Sequence, residues 1–378
     1  MAEQQTYDYA IVGAGIAGAS VAYRLAGTAA VVVLERESQP GYHSTGRSAA
    51  MFMETYGTPH IRALTRASRQ FYENPPAGFS DHPLLGERGV LYIATHDQAD
   101  LLQQTYAEFR AQSDKVSLIS AAAAADRVPC LRSEQLCGAI EEPEARDIDV
   151  HALHQGFLRG MRQRGAVLRA NADLAGARHD GEHWAIALAD GTTVHARTLV
   201  NASGAWADDV ADRCGAAPIG LQPRRRTAFT FSGPEGMDFA GWPAVVGVDE
   251  SFYFKPDAGQ LLGSPANADP VPPHDVMPEE LDVALGIHRI ESATSLTIRR
   301  PRHTWAGLRS FLSDGDFAIG WDEDVPAFFW LAAQGGYGIQ TAAATSELAA
   351  ALLTCSPLPD HLREQGVNAK AVQPGRLR

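Results

Sequence analysis

The sequence predicts an α/β chain in which a parallel sheet flanked by helices is joined to a second, mostly antiparallel sheet. A strand, a helix and another strand follow one another within the first 35 residues. Residues 166–200 and 221–262 carry short strand-like runs separated by Gly, Pro and Asp-Gly turns. At 378 residues the chain is long enough for more than one hydrophobic core.

The amino-acid composition is that of a globular protein and disfavours nucleic acid and metal as ligands. Hydrophobic residues make up 45% and charged residues 20% of the chain, as in globular proteins. The 32 Lys and Arg against 45 Asp and Glu give a net charge of -13, which would repel a nucleic-acid backbone and excludes that partner. The cysteines form no CxxC pair and have no metal-ligand spacing with the 13 histidines, which predicts reduced thiols and no metal site; they are Cys130, Cys137, Cys214 and Cys355.

The first residues of the chain and the lengths of its apolar segments predict its cellular location. The first residues, Met-Ala-Glu-Gln-Gln, carry no basic segment and lead into a strand, so no export signal is predicted. Every long apolar run is broken by Gly, Asp or Arg before the roughly 20 residues that cross a bilayer, so we expect no transmembrane segment. We expect a cytoplasmic protein, with attachment to the inner face of a membrane left open.

The motif Gly13-Ala-Gly15-Ile-Ala-Gly18 connects the first strand to the first helix. In such G-x-G-x-x-G turns the first glycine allows the tight turn and the second lets the backbone approach a pyrophosphate. The third allows close packing of helix and strand. Glu35 ends the next strand, where a carboxylate can accept both ribose hydroxyls. Together they predict a Rossmann-type dinucleotide site.

The acidic Glu35 disfavours a 2′-phosphate and therefore NADP, while FAD and NAD both satisfy the fingerprint. Three features favour FAD: the N-terminal place of the fingerprint, the Asn-Ala-Ser-Gly-Ala-Trp motif at 201–206, and the glycine loop 334–341 ahead of an Ala-rich helix. The N-terminus of that helix can face a flavin carbonyl, where negative charge develops on reduction.

The remaining elements follow from periodicity and breakers. We expect a loop over 39–50 leading into a helix, helices over 58–73, 121–125 and 151–164, a strand over 89–94, and a Pro-rich linker over 269–278 followed by a helix and a strand.

Five segments carry a resemblance to a known family. Residues 34–37, 39–50, 249–253, 304–311 and 334–341 are similar to the D-amino acid oxidase superfamily, which includes glycine and sarcosine oxidases and bacterial D-amino acid dehydrogenases. The likeness extends over essentially the whole chain and is strongest to the bacterial FAD-dependent D-arginine dehydrogenases. It implies a flavin held between an FAD-binding domain and a substrate domain built on a sheet.

The resemblance also implies domain limits and cofactor contacts. The FAD-binding domain is expected over 1–82, 147–215 and 300–378, and the substrate-binding domain over 83–146 and 216–299. FAD is expected to be non-covalent, since no cysteine lies near position 309, where some sarcosine oxidase relatives attach it. The expected cofactor-binding residues are Gly13, Gly15, Ile16, Ala17, Gly18, Glu35, Arg36, Ser44, Thr45, Arg47, Ser48, Ala49, Ala50, Leu174, Ser203, Gly204, Trp206, Gly307, Gly335, Gly336, Tyr337, Gly338, Ile339, Gln340 and Thr341.

Four side chains fall on catalytic positions of the family. Arg226, Tyr253 and Arg309 match those that hold the substrate carboxylate, which a guanidinium fork binds through two hydrogen bonds. Tyr56 matches a lid tyrosine that helps to exclude water. A competing interpretation treats Arg225 and Arg226 as a solvated basic edge.

Two residues expected at the pocket for the substrate side chain differ from those of the D-arginine dehydrogenases. Their guanidinium-binding glutamate aligns with Val90, and their histidine after Ser-Ala-Ala aligns with Met51. Because a buried cation without a carboxylate is costly, a hydrophobic substrate is expected, unless Glu87 substitutes. The expected substrate-pocket residues are Met51, Met53, Val90, Ala244, Val246, Gly336 and Gln340.

The expected function is therefore FAD-dependent oxidative deamination of a D-amino acid, by hydride transfer from Cα to flavin N5. The imino acid product hydrolyses to a 2-oxo acid and ammonia. Alternatives are a D-arginine or D-lysine dehydrogenase, a sarcosine- or glycine-type amine oxidase, a 2-hydroxy-acid oxidising relative, and a flavin-binding protein without turnover. The sequence leaves open the amino acid and its enantiomer, the oligomeric state, and whether oxygen, a quinone or another carrier accepts the electrons.

Overall fold

A computed structural model describes residues 6–377 of the chain. Its helices are α1 Ile16–Leu25, α2 Pro59–Glu73, α3 Ala99–Arg110, α4 Ala121–Arg127, α5 Val150–Gln163, α6 Ala207–Arg213, α7 Glu280–Ala293, α8 Gly338–Leu353 and α9 Asp360–Glu364. Short 3₁₀ turns occupy His96–Gln98, Ser133–Gln135, Gly204–Trp206, Ala369–Val372 and Pro374–Leu377.

The strands form three sheets. In chain order they are β1 Thr6–Val12, β2 Val31–Leu34, β3 Met51–Phe52, β4 Leu85–Glu87, β5 Val90–Thr95, β6 Ser117–Ile119, β7 Leu136–Glu142, β8 Arg146–Ile148, β9 Val167–Arg169, β10 Leu174–His179, β11 Trp184–Leu188, β12 Thr193–Asn201, β13 Gln222–Phe231, β14 Ala244–Gly247, β15 Tyr253–Asp257, β16 Gln260–Ser264, β17 Asp269–Pro270, β18 His303–Phe311, β19 Ala318–Trp321 and β20 Phe328–Ala332.

The first sheet is the predicted Rossmann-type unit. Strands β9, β2, β1 and β12 run parallel, and β20 adds a parallel strand to the end of β12. Strands β10 and β11 extend the sheet in antiparallel fashion beside the start of β12. Helices α1, α2, α5 and α8 contribute buried residues to the core on one face, and α6 does so on the other. Since parallel strands carry their sites at their carboxyl ends, the turn after β1 faces the site.

The second sheet has nine strands and is antiparallel except for the β5·β14 pair. Residues alternate between its two faces. Phe229, Phe254 and Leu261 point to a core that includes Ile290 of α7, while their neighbours in sequence point the other way, toward the first sheet. The prediction of an α/β chain with a mostly antiparallel second sheet is confirmed.

Strand β18 lies within the segment 300–378 that the sequence assigned to FAD binding, yet it belongs to the second sheet. It pairs with β13 at nine consecutive positions, from Gln222↔Phe311 to Thr230↔His303. The loop over 39–50 is followed by β3 rather than by a helix, and the helix begins only at Pro59. Both differences arise from pairing between distant segments, which local periodicity does not report.

Within residues 6–377, no helix is long and apolar enough to span a bilayer. Cys130 and Cys214 are buried, and desolvation raises the pKa of each thiol to about 12. Both therefore stay protonated and pack as small apolar groups.

Candidate active site

The turn between β1 and α1 has no room for a side chain at Gly13 or Gly18. Gly13 has φ +100°, and a Cβ there would lie 2.5 Å from the carbonyl oxygen of Ala202. A Cβ on Gly18 would lie 1.9 Å from the Gly13 carbonyl oxygen. The first amide of α1, Ile16 N–H, donates to Thr45 Oγ1 at 3.0 Å. The helix N-terminus is thus held close to β12 and the 39–50 loop, and its next amides can face an anion.

Glu35 lines a cavity at the end of β2, named here the Glu35 cavity. Its Oε2 accepts from Ala14 N–H at 2.8 Å and its Oε1 from Glu37 N–H at 2.9 Å. These bonds hold the carboxylate in place, where ribose hydroxyls could reach it. Arg36 stacks over the Trp206 ring at 4.3 Å, which makes a flat wall on the same cavity. The expected cofactor residues lining it are Gly13, Gly15, Glu35, Arg36, Ser44, Thr45, Leu174, Ser203, Gly204 and Trp206.

A second cavity, the central cavity, lies between the N-termini of α1 and α8. It shares Gly15, Ser44, Thr45 and Gly204 with the Glu35 cavity, so the two form one channel past the glycine turn. An elongated dinucleotide fits such a channel, and the acidic residue lies at one end of it. The expected cofactor residues lining the central cavity are Gly15, Ile16, Ala17, Ser44, Thr45, Arg47, Ser48, Ala49, Gly204, Gly307, Gly335, Gly336, Gly338 and Ile339.

The loop before α8 is shaped by glycines at the other end of the channel. Gly335 has φ +50°, and a Cβ there would lie 2.6 Å from Phe311 Cε1. A Cβ on Gly336 would lie 2.9 Å from Arg309 Nη1. The loop therefore lies directly against β18, and the 16-residue helix α8 begins at the cavity wall. Its dipole favours negative charge there.

Three expected cofactor residues line none of the cavities: Gly18, Tyr337 and Thr341. Gly18 packs beneath the turn, and Thr341 is fully buried with its hydroxyl donating to the Tyr337 carbonyl. Arg47 lines the central cavity, but its guanidinium donates to the Ala306 and Val276 carbonyls at 3.1 Å. The Arg47 guanidinium therefore links the 269–278 linker to β18 through these hydrogen bonds.

A third cavity, the Met51 cavity, lies over the inner face of the second sheet. Register puts its residues there: Arg226 pairs with Gly307, Arg309 with Arg224, and Val246 with Tyr253. All belong to the face opposite Phe229 and Phe254, because side chains alternate along each strand. Other expected residues lining this cavity are Ser48, Ala49, Ala50, Met51, Met53, Tyr56, Ala244, Gly336 and Gln340.

Arg226 and Arg309 line this cavity without a carboxylate partner. Arg226 Nε donates to the Asn267 carbonyl at 2.6 Å, and Arg309 Nη1 donates to the Tyr56 hydroxyl at 3.4 Å. Across residues 6–377, neither has an acidic oxygen within 4.0 Å. Burial, and then the charge of Arg309, lowers the pKa of Arg226 to about 10, so it stays protonated at neutral pH. Two adjacent half-buried cations require an anionic ligand.

Arg225 is not part of a solvated basic edge. It is 8% exposed, lies on the opposite face of β13, and its Nε donates to Asp282 Oδ2 at 2.9 Å, with Glu279 also paired to it. The alternation along β13 separates this structural arginine from the cavity-facing Arg226.

The segment after β3 is held over the cavity by α8. Gln340 Nε2 donates to Thr65 Oγ1 at 2.9 Å and to the Met53 carbonyl at 3.4 Å. The rings of Tyr56 and Tyr337 lie 4.8 Å apart between centroids. These contacts place the Tyr56 hydroxyl beside Arg309, at a rim that could close over a ligand.

Two expected residues are not at the cavity wall. Val90 is fully buried behind it, and Glu87 is exposed on β4 opposite Arg146. Neither lines the Met51 cavity, so Glu87 does not replace the missing carboxylate. Four residues that do line it were not expected from the sequence: Tyr92, Glu250, Lys255 and Ala266. Tyr92 and Lys255 each stand two positions after a residue already singled out, so the period of two could have found them.

A buried carboxyl group beneath this wall predicts a pH dependence of stability. Burial raises the pKa of Glu142 from 4.5 to about 7, although a 2.7 Å hydrogen bond from Thr55 opposes the shift. The contribution of Glu142 to the free energy of unfolding is therefore fully present below pH 4.5 and is lost as the pH rises through about 7. Each pKa unit corresponds to about 1.4 kcal/mol, so the free energy of unfolding falls by about 3 kcal/mol between pH 4.5 and about 7.

Glu142→Gln should therefore gain thermal stability relative to the unchanged protein as the pH rises from 5 to 8, by several degrees in Tm. Glu141→Gln is the matched control, since Glu141 faces the other side of β7 and pairs with Arg127. If the difference in Tm between Glu142→Gln and the unchanged protein stays constant across this pH range, the raised pKa of Glu142 is contradicted.

Known proteins match both the sequence and the fold. The family model described as FAD dependent oxidoreductase (DAO) matches residues 8–352. FAD-dependent oxidoreductase domain-containing protein 1 of Bos taurus is 23% identical over 92% of this chain and 81% of its own length. L-proline dehydrogenase from P. horikoshii superposes with a TM-score of 0.82 at 20% identity, over 99% of this chain and 98% of that one.

Glycine oxidase from Geobacillus kaustophilus also superposes with a TM-score of 0.82 at 23% identity, over 94% of this chain and 96% of that one. The family match covers most of the chain and includes the glycine turn, Glu35, Arg226 and Arg309. The channel through the Glu35 and central cavities has room for the cofactor that the family description names. The chain belongs to the FAD dependent oxidoreductase (DAO) family and uses FAD as its cofactor.

Proposed function

We propose that this protein oxidises a D-amino acid at its α-carbon, giving an imino acid that hydrolyses to a 2-oxo acid and ammonia. The observation that carries the proposal is the pair of guanidinium groups, Arg226 and Arg309, that face the Met51 cavity without acidic partners in the described chain. Bound FAD would supply the acceptor for the hydride. The D configuration is inferred from the resemblance of these positions to the D-amino acid dehydrogenases.

The cation pair supplies binding and orientation. Arg309 offers a fork that matches a carboxylate, and Tyr253 adds a phenol from β15. Fixing the carboxylate fixes the adjacent Cα, so positioning supplies most of the rate. The substrate amine must be neutral when the hydride leaves, and two nearby cations favour that neutral form. No strong base is needed from the chain.

Tyr56 supplies a cover for the reacting atoms, and Tyr337 packs against it. Tyr56 bridges from the segment after β3 to Arg309, and Tyr337 precedes α8. Burial raises the pKa of Tyr337, so it remains a neutral, apolar surface. Exclusion of water by this cover strengthens the hydrogen bonds to the substrate carboxylate.

The cavity wall favours hydrophobic over basic side chains. Met51, Met53, Ala244 and Val246 present apolar surface. The buried ammonium of Lys255 would repel a substrate cation, and Glu250 is exposed at the mouth. These features argue against D-arginine and D-lysine. FAD is proposed to be non-covalent, because none of the four cysteines lines the three cavities.

An anaerobic screen of paired D- and L-amino acids tests the proposal by loss of the flavin absorbance. We expect D-Leu and D-Met to reduce the flavin at least tenfold more efficiently than D-Arg and than their L enantiomers, since one buried unpaired charge costs more than about 1.4 kcal/mol. Readmission of air then shows whether oxygen reoxidises it. A flavin that no D-amino acid reduces, or a preference for D-Arg, would overturn the proposal.

A further inference from the structure

Two polar groups lie buried at the Met51 cavity with unused hydrogen-bond donors. Lys255 is 5% exposed, and its Nζ makes one hydrogen bond, to Asp147 Oδ1 at 2.6 Å. An ammonium has three donors, so two remain. Tyr92 is 3% exposed, and its hydroxyl makes no well-formed hydrogen bond within residues 6–377, although Thr55 lies close to it. Buried donors left unsatisfied are costly, which indicates that a ligand completes them.

The charges around Lys255 do not cancel. Asp147 also accepts from Arg88 Nε at 2.7 Å, so a single carboxylate serves two cations. The other two carboxyl groups nearby do not complete the balance. Glu250 is exposed at the cavity mouth, and Glu142 is bonded to Thr55 with its pKa raised by burial. The region around Lys255 keeps a net positive charge in a poorly solvated place.

Register separates this group from the paired arginines. Tyr253 and Lys255 share one face of β15 two residues apart, which is about 7 Å along a strand. Tyr92 stands opposite Val246, and Val246 stands opposite Tyr253. Lys255 therefore lies beyond the Tyr253 phenol, beside Ala244 and Val90, whereas Tyr92 lies across β14 in the same row as Tyr253. A ligand held at Arg226 would extend its side chain over Val246 toward both donors.

We propose that Lys255 and Tyr92 form a second anion subsite, and that the preferred substrate is an amino acid whose side chain ends in a carboxylate, such as D-glutamate or D-aspartate. This inference rests on the proposed oxidation of an amino acid in the same cavity. The apolar wall binds the methylene stem, Arg226 and Arg309 bind the α-carboxylate, and the second subsite binds the terminal carboxylate. Burial raises the pKa of Tyr92 well above its ordinary value, so the phenol remains a donor.

Steady-state kinetics of the holoenzyme test the subsite by comparing D-glutamate with D-norvaline, which matches it in chain length but lacks the carboxylate. We expect kcat/KM for D-glutamate to exceed that for D-norvaline by roughly tenfold or more, as for a charge-assisted hydrogen bond. Lys255→Met should lower this ratio by roughly 30-fold and Tyr92→Phe by about fivefold. Lys115→Met, which alters an exposed lysine, should leave the ratio unchanged.

A binding measurement separates failure of the subsite from failure of the proposed reaction. Titration of the oxidised holoenzyme with glutarate and with pentanoate, followed by the flavin spectrum, should show tighter binding of glutarate, with the difference reduced in Lys255→Met and in Tyr92→Phe. Reduction by D-norvaline but not by D-glutamate, with equal binding of both acids, overturns the subsite and leaves the proposed function standing. No reduction by any amino acid, with glutarate still preferred, overturns the reaction but not the subsite.

Discussion

Arg309→Met is expected to lower kcat/KM for the amino acid by roughly 10²- to 10³-fold, which corresponds to about 3–4 kcal/mol. The side chain lies against Gly336 and faces the cavity together with Arg226. Its loss removes the carboxylate fork and leaves a single guanidinium on a neighbouring strand. Because the carboxylate positions Cα, both KM and the rate of flavin reduction at saturating substrate should suffer.

Arg300→Met is the matched control. Arg300 is exposed just before β18, and its substitution removes the same charge as Arg309→Met does. The flavin content of both variants should stay close to that of the unchanged protein, because the glycine turn and Glu35 are unchanged and Arg309 is one of many residues that line the central cavity. Anaerobic stopped-flow traces at 450 nm report the reductive step directly. A loss smaller than tenfold in Arg309→Met would exclude the clamp as the source of orientation.

Gly15→Val is expected to yield a folded protein that purifies with less than about a tenth of the normal FAD. Gly15 lines both the Glu35 and the central cavity, so a side chain there would occupy the passage between them. Its backbone conformation, with φ -70°, is open to any residue, and a Cβ meets only Thr45 Oγ1, at 3.2 Å. The change therefore blocks the ligand with little strain on the turn, since only the Thr45 side chain must shift, by a few tenths of an ångström.

The ratio of absorbance at 450 nm to that at 280 nm measures bound flavin, and circular dichroism checks the fold. Gly241→Val, at an exposed position with no atom within 4 Å of the new Cβ, serves as the control and should retain its flavin. Full flavin occupancy in Gly15→Val would show that the dinucleotide does not pass this turn. Gly18→Ala is the more severe change, since its Cβ would collide with the Gly13 carbonyl, and we expect misfolding there.

The sequence by itself determined the parts of this protein that rest on local chemistry. The turn from Gly13 to Gly18 needs glycine at set positions within six residues, and Glu35 ends the strand that follows. Such requirements leave a signal along the chain that can be found without knowing distant contacts. The same holds for the helix over 59–73 and for the second sheet, whose alternation and turn residues are visible in the sequence.

The tertiary structure decided everything that depends on strand pairing. Strand β18 lies in the second sheet because it pairs with β13. Arg225 faces Asp282 and Arg226 faces the cavity, because neighbouring residues of a strand face opposite sides. The tertiary structure also placed Val90 behind the wall and brought Lys255 to it. Pocket chemistry is set by which residues meet across strands far apart in sequence, and that register is fixed by packing of the whole sheet.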